Sequence, residues 1–264
     1  MTTSMAVSIR KQIGWTFSDT MVITHRNLLR YVRLPQLVAF FTIQPIMFVL
    51  LFYYVFGGAI DVGNVKYIDY LLPGVFIQTA LFGSTQTGVG LADDLSKGMI
   101  DRFRSLPMAR SAVLGGRILA DSVRTAFVVL LMIGVGTLVG FRFHDGPLNA
   151  VAVIGLAVLC GSVFSWVSAF VGVSVREPET AQVAGFLWVF PVVFISSVFV
   201  PVEGMPGWLQ VYAEISPVTV TVDTLRALAL GGEVTPSLWQ SLAWMAGIVA
   251  VFAPLAIYRY RRIS

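Results

Sequence analysis

Apolar residues run in long blocks along this chain, and polar residues gather in the gaps between them. Six blocks are long enough for a hydrocarbon core, which takes about 20 helical residues. They run from about Val38 to Phe56, Tyr70 to Leu91, Ile118 to Gly140, Leu148 to Val173, Gln182 to Val200 and Leu238 to Tyr258. The pattern predicts six membrane-spanning helices. Pro45 lies inside the first and lacks the N–H that a helix interior needs, so a kink is expected near it.

Three of the gaps have a pattern of their own. Ahead of the first block, Ile13, Phe17, Met21, Thr24, Leu28 and Val32 follow helical spacing, with Arg26, Arg30 and Arg33 on another face. That suits a helix lying in the headgroup layer, apolar side down and bases toward anionic lipid, with an ordinary surface helix as the alternative. Between the second and third blocks, Gly98 to Ser111 reads GMIDRFRSLPMARS. It puts Met99, Phe103 and Leu106 at i, i+4 and i+7 and then stops at Pro107, which predicts a short amphipathic helix. The segment from Pro201 to Glu233 is too polar to span, yet it holds Trp208, Leu209, Val211, Tyr212, Val218, Val220, Leu225 and Leu228. Two short helices dipping into the outer leaflet and back would bury these side chains; a compact soluble cap is the alternative.

Composition turns the pattern into a class. The 264 residues are 56% hydrophobic and 12% charged, where a soluble domain carries about 25% charged residues. Such a chain cannot cover itself in water. The net charge of +4 is spread over the ends of apolar runs rather than a stripe with interleaved aromatics, which excludes a nucleic-acid face. Of the 18 Lys and Arg, all but Lys66, Arg142 and Arg226 fall on one side of the predicted spans, so both termini are expected in the cytoplasm. Cys160 is the single cysteine and sits in an apolar run, while His25 and His144 are far apart, so neither an internal disulfide nor a metal site is expected. No small-residue cleavage site accompanies the first block, so a cleavable signal peptide is not indicated.

Candidate chemistry is sparse. There is no G-x-x-x-x-G-K-[ST] phosphate loop, and LGGRILADS at Leu114 to Ser122 has Arg where the lysine would stand. No H-E-x-x-H, G-x-S-x-G or paired buried carboxylates occur, which leaves a membrane enzyme without a catalytic constellation. Only Asp121 and Arg124 enter a predicted span, and with Arg117 they make a plus–minus–plus ladder at i, i+4 and i+7. The ladder reads as a local ion network, with a gating element as the alternative, and gives little support to an ion-coupled transporter or channel. A membrane body without an energy source, but with an amphipathic helix facing the cytoplasm, is shaped to dock on a cytoplasmic motor.

Four stretches then point to a family. YLLPGVF at Tyr70 to Phe76, with Leu72, Pro73 and Gly74, resembles the opening of the second span in type-2 ABC exporter permeases. DRFRSLPMARSAVLGGRILADSVR, from Asp101 to Arg124, resembles their cytoplasmic segment, with Gly116, Arg117, Asp121 and Arg124 in its motif. ISPVTVTVDTLRAL at Ile215 to Leu228 is similar to their turn before the last span, and GFRFHDG at Gly140 to Gly146 to the daunorubicin/doxorubicin-resistance branch.

The resemblance implies an all-α integral membrane protein with one transmembrane domain over residues 1–264. Its parts would be a cytoplasmic amphipathic segment at 1–37, five spans within 38–200, a re-entrant outer hairpin at 201–237, and the sixth span with a basic tail at 238–264. It implies a non-catalytic permease of a bacterial cytoplasmic membrane, paired with a second permease, identical or homologous, and with two ABC ATPase subunits that use ATP and Mg. No cofactor would be bound by this chain. The coupling elements carried over are Lys97, Met99, Asp101, Arg102, Phe103, Arg104 and Leu106, while the REPET piece at Arg176 to Thr180 is either a second contact or a solvated turn. A substrate path would use Phe41, Gln44, Phe48, Phe52, Gln78, Phe186, Trp188, Phe190 and Phe194. The implied activity is export of a hydrophobic or amphiphilic compound, a drug, antibiotic or lipid. Export of a polysaccharide or glycan-lipid, and a non-transporting anchor for a cytoplasmic partner, are the alternatives.

Overall fold

The computed structural model describes residues 2–33, 35–60, 62–63, 65–99, 110–144, 146–175 and 177–262, with side chains from residue 18 onward except 35, 37, 38, 40, 110 and 111. Among the described residues all regular structure is helical. Helix α1 covers Thr2–Arg33, and α2 covers Pro35–Leu51 and runs on as a π-helical turn over Phe52–Phe56. Then come α3 (Tyr67–Ser96), α4 (Arg110–Val139), α5 (Gly146–Ser174) and α6 (Pro178–Phe194). The short helices α7 (Gly207–Ile215) and α8 (Pro217–Leu230) precede α9 (Thr235–Arg262). Local chemistry sets several ends. Ser216 caps α8 by accepting from the Val218 N–H at 3.3 Å, and Pro217 fills the first turn, where no N–H is needed. Gly231 closes α8 at φ 84°, a conformation other residues avoid.

By length and composition, Ala112–Val139, Gly146–Ser174 and Thr235–Arg262 can cross a membrane, and Phe41–Phe56 and Pro178–Phe194 are shorter apolar helices. Helix α3 is different in kind. It has 30 residues, about 45 Å at 1.5 Å each, but it buries Gln78, Ser84, Thr85, Thr87 and Asp94. It is wrapped by α2, α4, α5, α6 and α8, so protein rather than lipid surrounds it. Leu71, Leu72, Phe76, Ile77 and Leu81 meet Val129, Met132, Val153, Val189 and Leu225 in one core. Gly88 and Gly172 let the backbones of α3 and α5 touch, since a Cβ on either would strike the other helix.

Two expectations change. The fifth block, expected to run helical to Val200, leaves the helix after Phe194. Residues 195–200 fold back as a turn whose apolar side chains Val198 and Phe199 are buried, so hydropathy there reflects a protein core. Two of the three bases of α1 are engaged by protein: Arg26 pairs with Asp94 at 3.1 Å and Arg30 with Asp93 at 2.9 Å, while Arg33 is exposed. The reason is that α3 continues past Leu91 to Ser96 and brings both carboxylates beside α1. Its buried face is Ile23, Thr24 and Asn27 against α4, while Met21 and Val32 of the expected apolar face are exposed. The segment after residue 200 forms the two short helices expected: Val218, Val220, Leu225 and Leu228 of α8 pack inside the protein, and Trp208, Val211 and Tyr212 of α7 lie exposed on its surface.

Helix α2 runs on through Pro45, and its hydrogen bonding changes to the π-helical pattern over Phe52–Phe56. Of the coupling residues, Asp101, Arg102, Phe103, Arg104 and Leu106 lie outside the described residues, as does Arg176 of the REPET piece.

Candidate functional site

Two antiparallel ladders face each other across α3 and α4. The ladder Arg117, Asp121, Arg124 on α4 meets Asp94, Gly90, Thr87 and Gly83 on α3. Arg117 lies 3.6 Å from Asp94 and also donates to the Gln86 carbonyl at 3.3 Å. Asp121 accepts from the Thr87 hydroxyl at 2.5 Å and from the Tyr31 hydroxyl of α1. Arg124 donates to the Gly83 carbonyl at 2.7 Å and stands 3.9 Å from Asp121. Both arginines lie over glycines: a Cβ at Gly83 would stand 2.8 Å from Arg124 Nη2, and one at Gly90 would overlap the Arg117 guanidinium. A buried charge is tolerable only when paired and hydrogen-bonded, and each of these has such partners. Gly116, of the same motif, is where α1 rests. Thr24 donates to its carbonyl at 3.1 Å, and a Cβ there would collide with Ile23.

The network extends to the Ser96 end of α3. Asp93 is bridged by Arg30 and by Lys97, the latter at 2.8 Å. Burial pushes its carboxyl up, but hydrogen bonds from Lys97 and Arg30 outweigh this and hold it below its ordinary value. Burial, and then the Asp121 charge, push the Tyr31 hydroxyl up to about 12, so it donates at any physiological pH. Met99, one turn farther, is half-buried.

A second feature is a cleft between α2 and α6. Between its first turns and its last, α3 reaches the surface along one stripe, at Thr79, Phe82, Gln86, Val89 and Asp93. Around the upper part of this stripe lies a cavity of about 40 Å³ bordered by Phe41 and Gln44 of α2, Gln78 and Thr79 of α3, Arg124 of α4 and Phe186 of α6. The Arg124 guanidinium stacks over Phe41 at 4.6 Å, and Phe82 meets Phe186 at 5.7 Å. Beyond the cavity, at the Tyr67 end of α3, Phe199 of the 195–200 turn stacks on Phe52 at 4.4 Å and meets Phe194 at 5.2 Å, joining α2 to α6. Phe48 and Phe190 extend the stack on either side. Trp188 is apart from it, stacked on Phe164 of α5.

The LPG triplet and the last motif converge on that same turn. Leu72 is fully buried, Pro73 is tolerated inside α3, and Gly74 has the Val198 backbone against its α-carbon. Sequence reading missed Arg226, which holds the turn in place. Its guanidinium donates to the carbonyls of Tyr70 at 3.0 Å and Ser197 at 2.5 Å, to Ser197 Oγ at 3.1 Å and to Asp223 at 2.9 Å, and lies over the Tyr70 ring at 3.5 Å. The signal was present: a lone Arg in an apolar amphipathic stretch, three residues after an Asp. Also missed were Gly83, Thr87, Gly90 and Asp94, whose spacing of four, three and four mirrors the α4 ladder.

Residues 18–230 match the ABC-2 type transporter family. A daunorubicin resistance ABC transporter permease protein, DrrB1, of Streptomyces coeruleorubidus is 34% identical over 92% of this chain and 86% of its own length. A probable doxorubicin resistance ABC transporter permease protein, DrrC, of Mycobacterium tuberculosis is 32% identical over 94% of this chain and 90% of its own. A putative transport permease, ycf38, of Cyanophora paradoxa is 23% identical over 80% of this chain. With the motif glycines and arginines of α3 and α4 built into one packed interface, and relatives aligned along nearly its whole length, the chain belongs to the ABC-2 type transporter family of membrane permeases.

Proposed function

We propose that this chain is the permease subunit of an ATP-driven exporter that moves a hydrophobic or amphiphilic compound, a drug, antibiotic or lipid, outward across a bacterial cytoplasmic membrane. The observation that supports it best is the cleft between α2 and α6, with aromatic walls and a short polar floor supplied by α3. Aromatic faces hold a planar apolar body, and a few fixed polar groups orient it. The named resistance of the bacterial relatives, to daunorubicin and doxorubicin, fits such a cargo.

In this reading the chain crosses the membrane six times with both termini in the cytoplasm, α1 lies at the inner interface, and α7 and α8 form the outer hairpin. The cleft opens toward a second permease. Two ABC ATPase subunits beneath bind ATP and Mg, and this chain binds neither. Residues 97–106 dock on the ATPase, with Met99, Phe103 and Leu106 as apolar anchors and Lys97, Asp101, Arg102 and Arg104 as orienting charges. The paired ladders of α3 and α4, which flank this segment in the chain, pass its displacement to the cleft as one rigid unit.

Co-purification with the neighbouring ATPase, followed by ATPase assay in nanodiscs with planar amphiphiles, tests the reading. The expected result is a stable complex whose hydrolysis responds to some of them. A chain that purifies alone, or with a partner lacking nucleotide turnover, would replace it with the anchor reading.

A further inference from the structure

The cavity beside α3 contains more unmet hydrogen-bonding capacity than its surroundings explain. Gln78 is 2% exposed and Arg124 9%, yet the Gln78 amide oxygen and Arg124 Nη1 have no hydrogen-bond partner among the described residues. Thr79 Oγ1, also at the cavity, is buried and without a partner too. Leaving one such group unsatisfied costs about 1–3 kcal/mol, and three of them border one space of about 40 Å³. A space of this size takes a few non-hydrogen atoms. It is too small for a whole amphiphile and large enough for its polar tip.

The tip's chemistry follows from the partners. Arg124 Nη1 can only donate, the Gln78 oxygen can only accept, and the Thr79 hydroxyl can do either. A hydroxyl does both with a single atom, accepting from the first and donating to the second, which suits a space of this size. Charge points the same way. Asp121 stands 3.9 Å from Arg124, so an incoming group meets a paired guanidinium rather than a free cation. An anion would lose its hydration without finding a net positive charge, which is costly in a buried site. The cavity shares Gln44 with the apolar face of α2 at Ile43, Met47 and Leu51, and Phe186 with that of α6 at Val183, Leu187 and Phe190. A ring system lying along either face would place its tip in the cavity.

We infer that Gln78, Thr79 and Arg124 form a subsite that selects neutral aromatic amphiphiles bearing a hydroxyl group at one end. The inference rests on the exporter reading and names the feature of the cargo that this site recognises. It adds Thr79 and Arg124 to the substrate path, and makes the family-motif arginine a ligand-binding as well as a structural residue.

Three probes on one scaffold test it: pyrene, 1-hydroxypyrene and 1-pyrenecarboxylate, added to the complete complex in nanodiscs. The readout is the concentration giving half-maximal ATPase response, corrected for lipid partition with protein-free discs. In the wild type, 1-hydroxypyrene should act at about five- to tenfold lower concentration than pyrene, the effect of one or two net hydrogen bonds. In Thr79→Val and Gln78→Leu, which leave the Arg124 pairing with Asp121 and Gly83 untouched, that ratio should fall toward one. Arg124→Gln is the stronger test of the donor but removes a packing residue, so the other two variants decide. Equal response to pyrene and 1-hydroxypyrene, or a preference surviving both variants, would overturn the subsite and leave the exporter standing. A preference for 1-pyrenecarboxylate would overturn the neutral-hydroxyl assignment. An ATPase that turns over in the complex but is indifferent to all three would overturn the subsite and the planar aromatic cargo, whereas a complex without nucleotide turnover would overturn the exporter reading.

Discussion

At the scale of single residues, the smallest side chains have the largest consequences. Gly90 has no side chain because the Arg117 guanidinium occupies that space. Gly90→Ala should therefore displace Arg117 from Asp94 and cost about 1–3 kcal/mol by overpacking. An apparent Tm equal to wild type in detergent would contradict it. Arg226 presents the opposite case, a large group with donors in several directions at once. Arg226→Lys keeps the charge but cannot reach the Tyr70 and Ser197 carbonyls and Asp223 together. We expect it to destabilise nearly as much as Arg226→Ala, about 2–3 kcal/mol, and a full rescue by lysine in thermal unfolding would show that charge alone matters. The glycines were visible in the sequence, but nothing local said which of the 24 faced an arginine.

At the scale of elements, α1 is the informative one. Its periodicity correctly marks a helix, yet a helix with several apolar positions has more than one face to offer. The one buried here was chosen by Gly116 and by the two aspartates of α3. The tie at Asp93 is pH-dependent, with a sign fixed by the lowered value of its carboxyl. Its contribution is fully present above the ordinary value of 3.8 and is lost as pH falls through the lower folded value. Arg30 is 40% exposed, so the pair contributes about 1 kcal/mol or less. Hydrogen exchange in α1 should rise in Asp93→Asn at neutral pH and in the wild type only in strong acid. Unchanged exchange in the variant would mean that the tie at Asp93 does not help to hold α1.

At the scale of the whole molecule, the fold is a bundle around a helix that is itself only moderately apolar. Helix α3 tolerates this because its neighbours, rather than lipid, surround it. The segment that leaves α3 and enters α4 is the proposed coupling element. Replacing Phe103 and Leu106 together with Asp should leave the permease inserted and folded while abolishing the response of the ATPase to amphiphiles. Normal coupling in that double variant would sink the docking role.

The sequence by itself determined the membrane class, the helical blocks, the sidedness expected from Lys and Arg, and the motifs that carry the family, because all of these depend on local composition and spacing. It also marked the α4 ladder at Arg117, Asp121 and Arg124. Tertiary structure decided what the ladder pairs with, since the complementary Gly83, Thr87, Gly90 and Asp94 come from another helix and no local rule couples the two. It likewise decided that residues 195–200 are a buried turn and not the end of a span, because hydropathy cannot tell a lipid-facing side chain from one packed in protein. The cavity at Gln78, Thr79 and Arg124 exists only where α2, α3, α4 and α6 meet. A site built from four segments distant in sequence is set by packing, and packing is the part that a one-dimensional pattern does not hold.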